Sequence, residues 1–158
     1  MKTYAEFFKS GTHEIVKVAH QIETAAIHQG LNFKHKLVDV VYELRHLYSD
    51  RLFRDKFVGA HQFIDAPWDR GMCALTAKSL YTLFPGLFEA QAIKIGSWEH
   101  APVVFVRDKL LGLPLDPTGQ QFAPLVVPYE LGVPLNRELQ TPNSAEFIKI
   151  IEKRLGRQ

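Results

Sequence analysis

Residues 68–80 read Trp68-Asp69-Arg70-Gly71-Met72-Cys73-Ala74-Leu75-Thr76-Ala77-Lys78-Ser79-Leu80, and the pattern of the chain changes across them. Before this stretch the apolar residues recur at helical spacing; after it they fall into short strand-like runs. The stretch itself opens a helix. Ala74 to Phe84 is rich in helix formers, and Pro85-Gly86 supplies a stop that no helix interior tolerates. Cys73, the single cysteine of 158 residues, lies two positions after Gly71 and four after Asp69, so it occupies the first helical turn whichever residue is the cap.

Downstream, Phe88 to Gly96 alternates like a strand, with Ile93 and Ile95 on one face, and Val103 to Val106 is a continuously apolar strand. Arg107-Asp108-Lys109 reads as a turn, with Leu110 to Leu115 as the antiparallel partner. Residues 112–142 hold six of the nine prolines and are expected to be mostly loop. Thr141-Pro142 then presents a cap with proline at the first helical position, opening a last helix that carries Phe147, Ile148, Ile151 and Leu155. Upstream, Thr3-x-x-Glu6 reads as a capping box on a short helix ended by Gly11. Ile15, Val18, Ala19, Ile22, Ala25 and Ala26 form the stripe of a second helix, with Gly30 as its stop. Leu37, Val40, Val41, Leu44, Leu47 and Tyr48 form a third, running on toward Phe57, and His61 to Asp69 reads as a linker. The expected class is α+β in one domain: a helical part over 1–60, a helix-and-sheet core over 68–123 and a final helix over 141–155.

Composition narrows the function classes. Hydrophobic residues are 46% and charged residues 23%, ordinary for a globular protein, and 19 Lys+Arg against 17 Asp+Glu leave a net charge of only +2. Such a small excess gives no basic face for nucleic acid. One cysteine excludes an internal disulfide and any multi-cysteine zinc site. The first residues lack the apolar stretch of a signal peptide, and no window approaches the about 20 apolar residues of a membrane span. The expected location is the cytoplasm of the producing cell, or export as an effector through a specialised secretion machine. His13-Glu14-x-x-Lys17 misses the His-Glu-x-x-His zinc pattern at its second ligand. His13, His20, His28, His35 and His46 read as solvated helix faces rather than a metal site, and no glycine-rich phosphate loop is present. No metal and no organic cofactor are expected.

The chemistry-bearing residues fall in a fixed order. A cysteine at a helix start has its pKa lowered by the partial positive charge there and by a neighbouring imidazolium. His100, heading the run Ala-Pro-Val-Val-Phe-Val, is placed to act as base, and Asp116, in Leu-Pro-Leu-Asp-Pro-Thr-Gly-Gln-Gln-Phe, to orient its ring. Backbone N–H groups near Cys73, with a side-chain amide from Gln121 or Gln62, would complete an oxyanion hole. Trp68 and Trp98 flank these residues in sequence and are candidates for the wall of a substrate cleft. Each member has an ordinary reading as well. A lone cysteine is commonly a small core hydrophobe, a histidine at a strand start a boundary residue, Asp116-Pro-Thr-Gly a type I turn, and the tryptophans core packing.

Cys, His and Asp in this order, with a Gly-x-Cys helix start and an Asp-Pro-Thr-x-x-Gln-Phe run, resemble the papain-like, transglutaminase-like fold over residues 68–123. The closer likeness is to bacterial toxin deamidases of the Pasteurella dermonecrotic toxin type. Asp116 follows His100 by 16 residues and Gln121 follows Asp116 by five, close to that group's spacing. The resemblance implies Cys73 as nucleophile, His100 as base, Asp116 as orienter and Gln121 as oxyanion donor. It implies glutamine deamidation or transglutamination of a protein substrate. Two residues depart from the pattern. Glu99 stands where a small residue is usual, and Pro102 has no N–H for a ladder, so the strand after His100 must start late or lie at an edge. The same triad also suits a peptidase or isopeptidase, and a catalytically silent interaction module on this fold is the reading from a different class.

Overall fold

The computed structural model describes residues 12–50, 52, 56–57, 70–93, 103–118, 127–135, 138–139, 141 and 143–156. Its first helix, α1 (Thr12–His28), buries Ala19, Ile22 and Ala26, one stripe at helical spacing. Gly30 ends it as expected. With φ at +74° it lets Gly30 N–H donate to Ile27 C=O and Leu31 N–H to Ala26 C=O, the paired bonds of a Schellman closure. The second helix, α2 (Leu37–Ser49), buries Leu37, Val40, Val41, Leu44, Leu47 and Tyr48. Its N-cap, Lys36, makes no capping bond. Instead Glu23 of α1 reaches across and accepts Val38 N–H at 3.1 Å, so a neighbouring helix satisfies one of the orphan amides.

Helix α3 (Arg70–Leu83) carries Cys73 in its first turn and ends, as the sequence indicates, at Pro85-Gly86, where Gly86 has φ +82°. The connection leads directly into β1 (Phe88–Ile93), which pairs antiparallel with β2 (Val103–Asp108) over six positions, from Phe88↔Asp108 to Ile93↔Val103. β2 is central in the sheet, and Pro102, on which the late-start or edge expectation falls, lies outside the described residues. β3 (Pro114–Leu115) pairs on the far side of β2. A fourth strand that the sequence reading lacked, β4 (Val133–Pro134), lies against Gln91 and Ala92 of β1. The sheet order is β3-β2-β1-β4. A 3₁₀ turn over Tyr129–Leu131 precedes β4, and α4 (Ser144–Leu155) closes the chain. The fold is therefore α+β, four helices with a small antiparallel sheet among the described residues.

Three local expectations shift. Arg107 and Asp108 belong to β2, and the turn follows them: the Asp108 carboxylate accepts N–H bonds from Leu110, Leu111 and Leu113 and so delays the reversal. The last helix starts at Ser144 rather than after Thr141. Asn143 adopts φ +64° and Ser144 N–H bonds back to Thr141 C=O, a turn that asparagine tolerates. His35 lies before α2 rather than on a helix face, and its Nε2 is 3.0 Å from Glu152 of α4; His13, His20, His28 and His46 are exposed as expected. The Thr3–Glu6 capping box and the linker over 61–69 lie outside the described residues.

Helix α3 packs across β1 and β2, and α4 packs on α2 and α3. One face of the sheet, with Phe88, Ala92, Val104, Val106 and Leu115, joins the helices in the main core. The other face carries Ile93, Val103 and Phe105 against Val127 and Tyr129. Both faces are thus covered, which is why Val103–Val106 is apolar without alternation and why the burial of β1 stops alternating after Ala90. Among the described residues no helix is long and apolar enough to cross a membrane.

Candidate active site

Among the described residues, topology directs the start of α3 and the chain leaving β3 toward one end of the sheet. The short connection from α3 to β1 makes helix and strand run in opposite directions, so the start of α3 lies toward the end of β1 at Ile93. Val103, three residues after His100 in the sequence, is Ile93's register partner at that same end. β3 runs antiparallel to β2, so the chain leaving Leu115 toward Asp116 travels that way too.

Cys73 is 6% exposed and belongs to the main core. Asp116 is buried as well. Its Oδ1 accepts Thr118 N–H at 3.0 Å and Thr118 Oγ1–H at 2.7 Å, and its Oδ2 accepts the Tyr129 hydroxyl at 2.7 Å.

Arg45, 2% exposed on α2, is the cation next to this carboxylate. Its Nε donates to Thr12 Oγ1 at 3.0 Å and its Nη1 to Pro117 C=O at 2.6 Å, joining the start of α1 to the turn after Asp116. Burial outweighs mutual attraction for both partners. It holds the Asp116 carboxyl above the usual carboxylate range despite the Tyr129 and Thr118 bonds and Arg45, and it lowers the Arg45 guanidinium to about 10.

Tyr129 bonds one candidate residue, Asp116, and feels the charge of the other, Cys73. Its hydroxyl is pushed well above the usual tyrosine value, by burial first, then by the charge of Asp116 and the bond to it, and finally by the charge of Cys73. The residue is mounted from the far face of the sheet. Its ring meets Phe105 edge-on at 4.9 Å, and its carbonyl accepts Arg107 Nη2 at 2.5 Å. Arg107 in turn donates to Gln91 Oε1 and Gly112 C=O, each at 2.8 Å. Gly132 closes the mount: a Cβ there would fall 2.4 Å from Phe105 Cζ and 2.9 Å from Gln91 Oε1.

Of the sequence-derived site residues, Cys73 and Asp116 are described: Asp116 accepts the Tyr129 hydroxyl, and the charge of Cys73 acts on the same tyrosine. His100, Gln121, Trp68 and Trp98 lie outside the described residues. The structure adds Tyr129, Thr118 and Arg45. Arg45 had a signal, a charge beside Val41, Leu44 and Tyr48 in an apolar stripe, where a buried cation demands a partner. Tyr129 had none, standing thirteen residues beyond Asp116 in a proline-rich run. Among the described residues no group of three or more His, Cys, Asp or Glu side chains is arranged to hold a metal ion. No family model, no curated protein and no solved structure matches the chain.

Proposed function

We propose that the protein is a thiol-dependent acyl-transfer enzyme on a papain-like, transglutaminase-like core, acting on the carboxamide of a protein glutamine. The observation that carries this reading is that the half-buried Tyr129, whose hydroxyl donates to Asp116 beyond β3, also feels the charge of Cys73 in the first turn of α3. The Cys73 thiol gives its proton to His100, and the thiolate attacks the carboxamide carbon. The tetrahedral oxyanion is held by Gln121 and backbone N–H groups. Collapse expels ammonia, which takes its proton from His100, and leaves a thioester on Cys73. Water, deprotonated by His100, then releases a carboxylate and regenerates the thiol; an amine in place of water gives transglutamination. Asp116 steadies the imidazolium, and Trp68 and Trp98 line the cleft. The same sequence of steps on a backbone or isopeptide amide would make the protein a peptidase.

A second reading, a catalytically silent interaction module, is favoured by the burial of Cys73 and by the Thr118, Tyr129 and Arg45 partners that already engage Asp116. Iodoacetamide alkylation across pH separates the two, because intact mass reports Cys73 alone. An enzyme shows fast modification well below a free thiol's pKa of about 8.5, lost in His100→Ala. A slow reaction indifferent to His100 favours the module. In the first case, a screen for ammonia release from glutamine-containing proteins follows, with Cys73→Ala as the blank.

A further inference from the structure

We infer that Tyr129 is a positioning residue of this site, fixing Asp116 through its hydroxyl so that one carboxylate lone pair is left for the general base. The role rests on the acyl-transfer reading above and adds to it a residue outside the Cys-His-Asp set.

A carboxylate offers about four acceptor positions. Thr118 fills the two on Oδ1 with its N–H and hydroxyl, and Tyr129 fills one on Oδ2. Any ring N–H that Asp116 orients must therefore bond to Oδ2, beside the tyrosine hydroxyl, and the direction of that bond is set by where Tyr129 holds the oxygen. The tyrosine is itself constrained at both ends: Phe105 packs its ring, and Arg107, tied to Gln91 and Gly112, holds its carbonyl. Because its own pKa lies far above neutral, the hydroxyl stays a donor at every working pH. It stabilises the ionised carboxylate against the burial that otherwise favours the neutral acid.

Loss of that donor has a directed consequence. With Oδ2 less stabilised, Asp116 holds its proton more strongly, the imidazolium loses its counter-charge, and the Cys73 thiolate forms at higher pH. Tyr129→Phe keeps the ring against Phe105 and removes only the hydroxyl. The experiment is alkylation of Cys73 against pH by intact mass, for wild type, His100→Ala and Tyr129→Phe, with thermal unfolding of each. The expected result is an acid limb moved up by about one pH unit in Tyr129→Phe, so that alkylation near pH 6 slows about tenfold, while the fold is kept. A low-pH limb that vanishes in His100→Ala but is untouched by Tyr129→Phe overturns the role of Tyr129 alone. A wild-type thiol that reacts as a free one, indifferent to His100, overturns the acyl-transfer reading and this role with it. If Tyr129→Phe does not fold, Arg107→Lys, which keeps the hydroxyl but loosens its mount, is expected to move the limb in the same direction, and no movement counts against the proposal.

Discussion

Arg45 and Asp116 set the energetics at the residue scale. Taking both out of water costs several kcal/mol per ion before their attraction and hydrogen bonds offset it. Removing one partner is therefore worse than removing both. Arg45→Met is expected to cost about 3–5 kcal/mol in urea unfolding, because it removes the cation beside Asp116 and the bonds to Thr12 Oγ1 and Pro117 C=O. Adding Asp116→Asn to that variant should recover part of the loss, a coupling that a double-mutant cycle reads directly. Asp116 also gives stability a pH dependence of definite sign. Its folded pKa lies above the unfolded value, so the native state binds the proton more tightly. That contribution is full below the ordinary carboxylate range and is lost as pH rises through the folded value. Asp116→Asn, measured by urea unfolding at several pH values, should flatten this fall; a slope unchanged in the variant would assign it to another group. The sequence made Asp116 legible as a motif residue but not its partners. Thr118 follows from the Asp-Pro-Thr turn, whereas Tyr129 is brought in by tertiary structure alone.

Elements divide in the same way between what local chemistry dictates and what neighbours impose. Gly30 and Pro85-Gly86 end α1 and α3 where the sequence puts them, since a positive φ and a missing N–H are local facts. The stripes of α1 and α2 were legible from their period. β4 was not: two residues, one of them proline, carry no alternation, and only the free edge of β1 at Gln91 and Ala92 makes them a strand. The turn after β2 was misplaced by two residues because the Asp108 side chain, not the backbone alone, closes it. The segment joining the 3₁₀ turn to β4 yields a prediction of its own. Gly132→Ala would drive a Cβ into the Phe105 ring, an overpacking expected to cost about 1–3 kcal/mol in chemical denaturation. Gly132 has φ −63°, so backbone strain contributes nothing and the cost is one of space. Gly132→Ala combined with Phe105→Leu should lose less than the sum of the two, and strict additivity would show that the clash is relieved elsewhere.

Across the whole molecule, α2, α3 and α4 and the sheet share one contiguous core that Phe147 and Ile151 complete from the C-terminal helix. Phe147 is fully buried, stacked on Tyr48 at 5.9 Å and edge-on to Phe57 at 5.3 Å. Ion pairs also tie α4 to its neighbours, Arg154 to Glu43, Glu152 to Lys34 and Lys56 to Glu146, with His35 hydrogen-bonded to Glu152. Such pairs near the surface contribute about 0–1 kcal/mol each, so they align α4 while the apolar face holds it. The two contributions separate experimentally. Glu152→Gln should cost under about 1 kcal/mol. Its carboxyl is held below the usual range by the His35 bond first and then by Lys34, so that stability is present above the unfolded glutamate pKa and fades as pH falls through the folded one. Phe147→Ala should cost about 3–5 kcal/mol at any pH, a large share of a domain's total stability. Because the cavity opens in a core common to helices and sheet, far- and near-ultraviolet circular dichroism should still report one coincident transition at lower urea. If the helical signal fell first, with the sheet-side aromatics unmoved, α4 would be an independent unit docked on the rest, and the shared core would not set the cooperativity of the fold.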